Sequence, residues 1–324
     1  MGEATEVRGV VFGPVHSRRL GVSLGVNNLA GKECTYSCVY CQAGRTPSKS
    51  LTRRVFRDPT YVVNEVVRAL HNLSVRVDYV TFVPDGEPTL DACLGYEVSE
   101  VLRSTGARVA VITNGSLLWR ADVREDLLNA SLVSVKIDCG SEEVFRRINR
   151  PHELLSWSLV LDGILKFSKE FTGRLITETM LVEGVNDSPA ELRKISEALR
   201  LVGPDKAYIM VPVRPPAERW VRPPTREFLR EAAELISEYL GRDRVHLLAS
   251  VEGRPPAPFV GEGVLDSLAR LTKVHPLKLD YALETIVKEA RVGREEALKI
   301  ILESGAFEVV RYGDTFFVRV RRDG

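Results

Sequence analysis

Three cysteines stand within eight residues, Cys34-Thr-Tyr-Ser-Cys38-Val-Tyr-Cys41, spaced C-x3-C-x2-C. No further cysteine follows closely enough to make a local fourth. A disulfide would leave one thiol over. A structural zinc site wants four closed ligands, and here the fourth would have to be His16 or His71. Three soft thiolates on one short loop also suit three corners of a [4Fe–4S] cube, because thiolate is the ligand that such iron prefers. The fourth iron would then be open to a small molecule binding through its own oxygen and nitrogen. Two cysteines remain, Cys93 and Cys139. A lone cysteine is more often a small buried hydrophobe than a reactive group.

The elements that must hold this loop follow from patterning. Lys+Arg 45 against Asp+Glu 44 gives a net charge of +1, which singles out no class of partner. No apolar run reaches the roughly 18 residues of a membrane span. The start, Met1-Gly-Glu-Ala-Thr-Glu, lacks the apolar stretch of a signal peptide. A cytoplasmic location is therefore expected, where thiols stay reduced and available to metal. Gln42 is the sole glutamine, a bias that fits heat adaptation or genome composition and says nothing about function. After a leading strand over Val7 to Phe12 and a loop from Gly13 to Gly21, short apolar runs alternate with helical ones. Strands are expected at Val22–Val26, Tyr79–Val83, Arg108–Thr113, Leu132–Ile137, Leu175–Val182 and Ala207–Val213. Helices between them show the apolar spacing of Val62, Val63, Val66, Val67 and Leu70. The last runs from Thr225 to Leu240, marked by Pro224 before it and Gly241 after it. Such alternation makes a parallel sheet covered by helices, and six units suggest a partial (β/α)6 TIM-like barrel over residues 1–250. A Pro/Gly-rich stretch at 251–261 reads as a linker. Helical patterns at Val264–Leu271, Leu277–Ala290 and Arg294–Ser304, then a hairpin turning at Gly313-Asp314, resemble a winged helix over 262–324.

In a parallel barrel the chemistry sits at the C-terminal strand ends, and polar residues cluster there. Pro84-Asp85-Gly86-Glu87-Pro88-Thr89 follows the second barrel strand, and Thr113-Asn114-Gly115-Ser116 the third. Lys136 and Asp138 straddle the end of the fourth, and Glu178 and Met180 alternate on the fifth. Ion pairing within the barrel would account for the charged members as well as ligand binding does. Arg18, Arg19, Arg150 and Arg214 fall in loops near the same face. Guanidinium groups suit an anionic substrate, phosphate or carboxylate, and equally suit pairing with Asp85, Glu87, Asp138, Glu178 or Glu218.

The cysteine spacing with Tyr40 before the third thiol, the Gly86-Glu87-Pro88 turn one unit on, and the Gly184-Val-Asn-Asp187 turn together resemble the radical S-adenosylmethionine (SAM) superfamily. The resemblance covers nearly all of residues 10 to 225. It implies that Cys34, Cys38 and Cys41 bind a [4Fe–4S] cluster and that SAM chelates the open iron. Reductive cleavage of SAM to a 5′-deoxyadenosyl radical, which takes hydrogen from a substrate, is the implied reaction. It places Tyr40, Gly86, Glu87, Pro88, Thr113 and Asn114 around SAM. Strand alternation, which points Lys136 and Asp138 to one side, adds those two, and position at the open face puts Arg18, Arg19, Arg150, Glu178 and Arg214 toward substrate. A flavodoxin- or ferredoxin-like electron donor would be the partner. Segments such as Phe145-Arg-Arg-Ile-Asn149-Arg150-Pro151-His152 resemble a branch of Fe–S oxidoreductases often grouped with wyosine-type tRNA-modifying enzymes. The second cysteine set of the wyosine synthases proper is absent here. A tRNA base or an anionic small molecule is the substrate class this suggests.

A different class of function is a cluster-bearing sensor that reports through the winged helix without turning SAM over. The turns after the second and third strands favour an enzyme, since a sensor needs no SAM cradle. Glu262 to Gly324 holds 11 basic and 11 acidic residues, not the basic footprint of a nucleic-acid reader. The would-be recognition helix carries Glu295, Glu296 and Glu303 against Arg294 and Lys299. Any nucleic-acid contact would fall to the hairpin, with Arg311, Arg319, Arg321 and Arg322.

Overall fold

The structure is a computed structural model that describes residues 9–250 and 260–321. Val7 of the leading strand, nearly all of the expected linker at 251–261, and Arg322 lie outside the described residues. Eight strands form one curled sheet in simple chain order. β1 (Val11–Ser17) is antiparallel to β2 (Gly21–Val26). From β2 onward every neighbour is parallel, through β3 (Tyr79–Phe82), β4 (Val109–Thr113), β5 (Leu132–Lys136), β6 (Arg174–Met180), β7 (Lys206–Met210) and β8 (Val245–Leu248). The result is a half-barrel of the TIM type, open on one side.

The expected leading strand and six barrel strands are one short of the eight observed. β1 takes in Val11 and Phe12 of the expected leading strand and runs on to Ser17 through residues taken for a loop, because Gly13 and Pro14 read as breakers. An edge strand tolerates them, and the pairing register shifts between Phe12 and Val15, where they fall. β8 was not expected at all. Only four residues long and only partly buried, it has none of the apolar continuity of the central strands.

Among the described residues seven helices cover the outside: α1 (Pro59–Asn72), α2 (Leu94–Thr105), α3 (Ala121–Leu127), α4 (Glu142–Ile148), α5 (Trp157–Glu170), α6 (Pro189–Val202) and α7 (Arg226–Leu240). Their boundaries are chemical. The Asp58 carboxylate accepts from Thr60 N at 2.8 Å ahead of Pro59. Ser188 accepts from Glu191 N ahead of Pro189, and Thr225 from Phe228 N. Each side chain satisfies an amide that the first turn leaves without a partner.

Strand alternation divides the interior. Val80, Val109, Val111, Val133, Leu175 and Ile209 face the helices in the main core. Tyr79, Ala110, Leu132, Ile176 and Tyr208, one residue out of phase, form a second apolar cluster with Leu20. A period of two puts the two sets on opposite sheet faces, so the second cluster is a plug inside the barrel. Two residues further along the same face come Thr81, Ile112, Ser134, Glu178 and Met210. The interior therefore turns from apolar to polar toward the C-terminal strand ends.

The C-terminal segment holds α8 (Val264–Val274), β9 (Leu277–Lys278), α9 (Leu279–Ala290), α10 (Arg294–Glu303), β10 (Phe307–Tyr312) and β11 (Thr315–Val320). The three helices and the hairpin stand where the periodicity puts them, and β9 adds a third strand in the order β10-β11-β9. These elements bury their own apolar cluster, built around Leu268, Leu271, Leu283, Ile286, Ile301 and Val318. Phe12 of β1 belongs to that cluster, and Val83 packs on it. The segment thus seats on β1 and on the mouth of the barrel.

Candidate functional site at the mouth of the barrel

The cysteine loop follows β2 and is held by main-chain bonds to distant segments. Val39 N donates to Ile148 O at 2.9 Å, Ser37 N to Asn149 O at 3.1 Å, and His152 N to Thr35 O at 2.8 Å. The link between α4 and α5 is therefore the loop's scaffold. Glu218 N donates to Val39 O at 3.0 Å from the other side. All three thiols are free, partly buried, and line one cavity. Each has a nitrogen donor of its own. Asn114 Nδ2 lies 3.6 Å from Cys34 Sγ, Asn149 Nδ2 3.6 Å from Cys38 Sγ, and Lys32 Nζ 3.6 Å from Cys41 Sγ. Burial first, then the charge of Glu87, pushes the Cys34 thiol up to about 12. Burial and Asp138 raise Cys38 as well. Metal binding at these sulfurs must displace protons.

The donor set fits a thiolate-ligated iron–sulfur cluster: three sulfurs on one loop, backed by N–H and ammonium donors of the kind that tune such sulfurs. A single ion needs its ligands gathered about one point. Among the described residues no group of three or more His, Cys, Asp or Glu is gathered in that way. His71 lies in the last turn of α1, lining a different cavity with Asp78 and Arg108, and His16 lies on β1.

The turn after β3 is bound to the cysteine loop. Glu87 N donates to Glu33 O at 3.0 Å. At Gly86 a Cβ would fall 1.8 Å from Glu33 O, so only glycine allows the approach. The Glu87 carboxylate accepts from Thr89 Oγ1 at 2.6 Å, Thr89 N at 3.1 Å, Thr113 Oγ1 at 2.5 Å and Asn114 N at 2.8 Å. Glu87 and Thr113 thus spend their side chains tying the β3 and β4 turns together, and Pro88 opens the short 3-10 turn that Glu87 caps. Burial raises the Glu87 pKa, against the four donors that lower it.

The cavity floor is ionic. Lys136 Nζ is 2.8 Å from Glu178 Oε2, and Arg19 also pairs with Glu178. Ser134 Oγ donates to Glu178 at 2.7 Å. Burial alone would raise this carboxyl, but Arg19 and Lys136 override it and hold it at about 2. Arg19 reaches this depth because the β1–β2 turn folds inward, with Leu20 in the plug. Tyr40 lines the wall, and its hydroxyl donates to Asp138. Asp138 also accepts from Met180 N at 2.8 Å and Asn149 Nδ2 at 2.8 Å. It lies past the end of β5, close enough to Lys136 for their charges to interact, and is not itself in the cavity lining. Asn186 ties the ends of β5 and β6 together, donating to Asp138 O and Met180 O, both at 2.8 Å.

Arg18, Arg19, Lys136, Glu178 and Arg214 meet in this cavity with Tyr40, Gly86, Glu87, Thr113 and Asn114. Arg150 and Pro88 are not in its lining. Arg150 Nη1 instead lies 2.5 Å from Glu218, which Arg45 also grips at 2.8 Å. Cys139 is fully buried, as a small hydrophobe would be, whereas Cys93 is only partly buried at the start of α2. Lys32, Asn149, Met210 and Val274 join the site without a sequence signal of their own. Asn149 was readable only as part of its resembling segment.

Residues 29–194 match the Radical SAM superfamily. The UPF0026 protein of Methanocaldococcus jannaschii is 38% identical over 312 residues, covering 96% of both chains. A UPF0026 protein of Synechocystis is 36% identical over 206 residues, 63% of this chain and 76% of its own. Among solved structures, a radical SAM methyltransferase from Sphaerobacter thermophilus shares the fold, with a TM-score of 0.51 at 17% identity over 70% of this chain and 66% of its own. The chain belongs to the radical SAM superfamily, whose members bind a [4Fe–4S] cluster and SAM.

Proposed function

We propose that this enzyme generates a substrate radical at the barrel mouth, on an anionic substrate. One observation carries the reading: the three thiols, the 85–88 turn and a cationic floor line a single cavity at the C-terminal ends of parallel strands. When bound, the cluster and SAM supply a one-electron cleavage that yields a 5′-deoxyadenosyl radical. Cys34, Cys38 and Cys41 hold the cluster, and Lys32, Asn114 and Asn149 donate to their sulfurs. Main-chain groups of Asp85 to Pro88 would hold the polar end of SAM, since the side chains of Glu87 and Thr113 are already engaged. Asp138 fixes the Tyr40 ring through its hydroxyl, which shapes the wall beside the cluster.

Five cationic side chains line the cavity (Arg18, Arg19, Lys32, Lys136, Arg214) against three carboxyls (Asp85, Glu87, Glu178). That balance favours a substrate bearing phosphate or carboxylate. A tRNA base presented with its own phosphates and a small anionic metabolite both satisfy it. Radical SAM enzymes need a reductant, for which a flavodoxin- or ferredoxin-like protein is the expected class.

The test is anaerobic reconstitution with iron and sulfide, then dithionite and SAM. Wild type is expected to release 5′-deoxyadenosine and methionine. Cys34→Ala, Cys38→Ala and Cys41→Ala should each fall to background, with iron content reduced in parallel. Turnover that survives all three changes would overturn the assignment. Adding total tRNA or a fractionated metabolite pool and following 5′-deoxyadenosine release then separates the two substrate classes.

A further inference from the structure

We infer that the C-terminal unit completes the active site, and that Lys273 of α8 is a positioning residue that seats this unit on the SAM-binding turn through Asp85. The inference rests on the radical SAM reading of the cavity. Its own support is independent of the cluster ligands.

Val274, the last residue of α8, lines the same cavity as the cysteines and the 85–88 turn. It is 5% exposed and belongs to the core of the C-terminal unit. Part of the cavity lining therefore comes from outside the barrel. Lys273 Nζ lies 3.4 Å from Asp85 Oδ2, and the Asp85 side chain is only 4% exposed. Its other carboxylate oxygen accepts from Asn27 Nδ2 at 3.1 Å, and its main-chain oxygen accepts from Lys32 Nζ at 2.9 Å. Asp85 is thus a junction. One residue joins α8, the end of β2, the lysine that reaches Cys41, and the Gly86 contact with the cysteine loop.

Further bonds cross the same seam. Arg214 Nε donates to Pro276 O at 3.1 Å, and Tyr312 Oη donates to Pro212 O at 3.1 Å. These fasten the unit to the β7 end of the mouth, while Lys273 fastens it to the β3 end. An ion pair withdrawn from water is strongly dependent on both partners, because removing one leaves the other buried and uncompensated. Among the described residues, loss of the Lys273 ammonium leaves the Asp85 carboxylate with the Asn27 amide as its one remaining side-chain donor. The carboxylate must then turn toward water, and the turn and Lys32 move with it. The neutral charge of the unit suits this seating role rather than docking on a polyanion.

The experiment compares wild type, Lys273→Met, Lys273→Arg, Asp85→Asn and the Lys273→Met/Asp85→Asn double variant. Hydrogen–deuterium exchange on the isolated proteins reads the seam without cofactor. Lys273→Met should raise exchange in residues 84–90 and 264–274 together, and Lys273→Arg should restore protection. On the reconstituted holoenzyme, Lys273→Met should weaken SAM binding several-fold, with cluster content unchanged. The double variant should be no worse than the more affected single one, since both break one interaction. Unchanged exchange in both segments, or effects of the two changes that simply add, would overturn the inference. A wild type that binds no cluster or SAM would overturn the radical SAM reading alone. The exchange result would still decide whether Lys273 and Asp85 seat the unit.

Discussion

Glu178 and Glu97 are both glutamates withdrawn from water, one inside the barrel and one in the helical shell outside it, and they reach opposite ionisation states. Glu178 has Arg19, Lys136 and Ser134 around it and is held at about 2. Glu97 of α2 is fully buried, and neither of its carboxylate oxygens has a hydrogen-bond partner among the described residues. Burial, with the nearby charge of Asp91 added, pushes it up to about 9 despite Arg57. A carboxylate is kept ionised in the interior only where counter-charges are built beside it. The barrel mouth has that provision and the shell does not. Charge at the mouth is thus a maintained property, as an ionic binding floor requires.

The largest test of the contrast is pH. With its folded pKa raised, Glu97 contributes stability that is fully present below its unfolded value near 4.5 and lost as pH rises through about 9. Between pH 5 and 8 the loss amounts to roughly 4 kcal/mol, at about 1.4 kcal/mol per unit. Glu97→Gln should remove it. Urea unfolding of the two proteins across that range isolates the term as a gap that widens with pH. Parallel curves would show that Glu97 has a partner that keeps it ionised.

Glu178 has the opposite sign. Its folded pKa is depressed, so its stabilisation is present above the unfolded value near 4.5 and lost as pH falls through about 2. The shift corresponds to about 3 kcal/mol. Glu178→Gln should lose about that much at pH 7, because Arg19 and Lys136 are left facing each other, and should flatten the acid limb. A variant as stable as wild type would mean that the floor is not a coupled trio. Arg19→Met or Lys136→Met alone should cost less, since one counter-charge remains. The smallest effect is expected at Asp162, which pairs with Lys166 at 2.7 Å on the exposed face of α5 with both side chains about half-exposed. Asp162→Asn should change stability by about 0.5 kcal/mol or less, which sets the scale against which the buried glutamates are read.

Sequence patterning made the central strands legible because both of their faces are covered, so β3 to β7 are nearly continuous apolar runs. The cysteine loop was legible because the constraint is local: three ligands in eight residues. What escaped was either edge structure or long-range pairing. The second half of β1 hid behind Gly13 and Pro14, and β8 behind its partial exposure. Lys32 is one lysine in a polar loop until folding brings Asp85 and Cys41 to it. The partner of Arg150, Glu218, is 68 residues away. Val274 ends an ordinary amphipathic helix, and nothing local marks it as a cavity wall.

The most direct measurement is electron paramagnetic resonance on anaerobically reconstituted, dithionite-reduced protein, recorded before and after SAM is added. A [4Fe–4S] signal that changes shape with SAM, and that is missing from Cys34→Ala, Cys38→Ala and Cys41→Ala, is the predicted result. A signal indifferent to SAM, or protein that takes up stoichiometric zinc and refuses iron, would contradict the account.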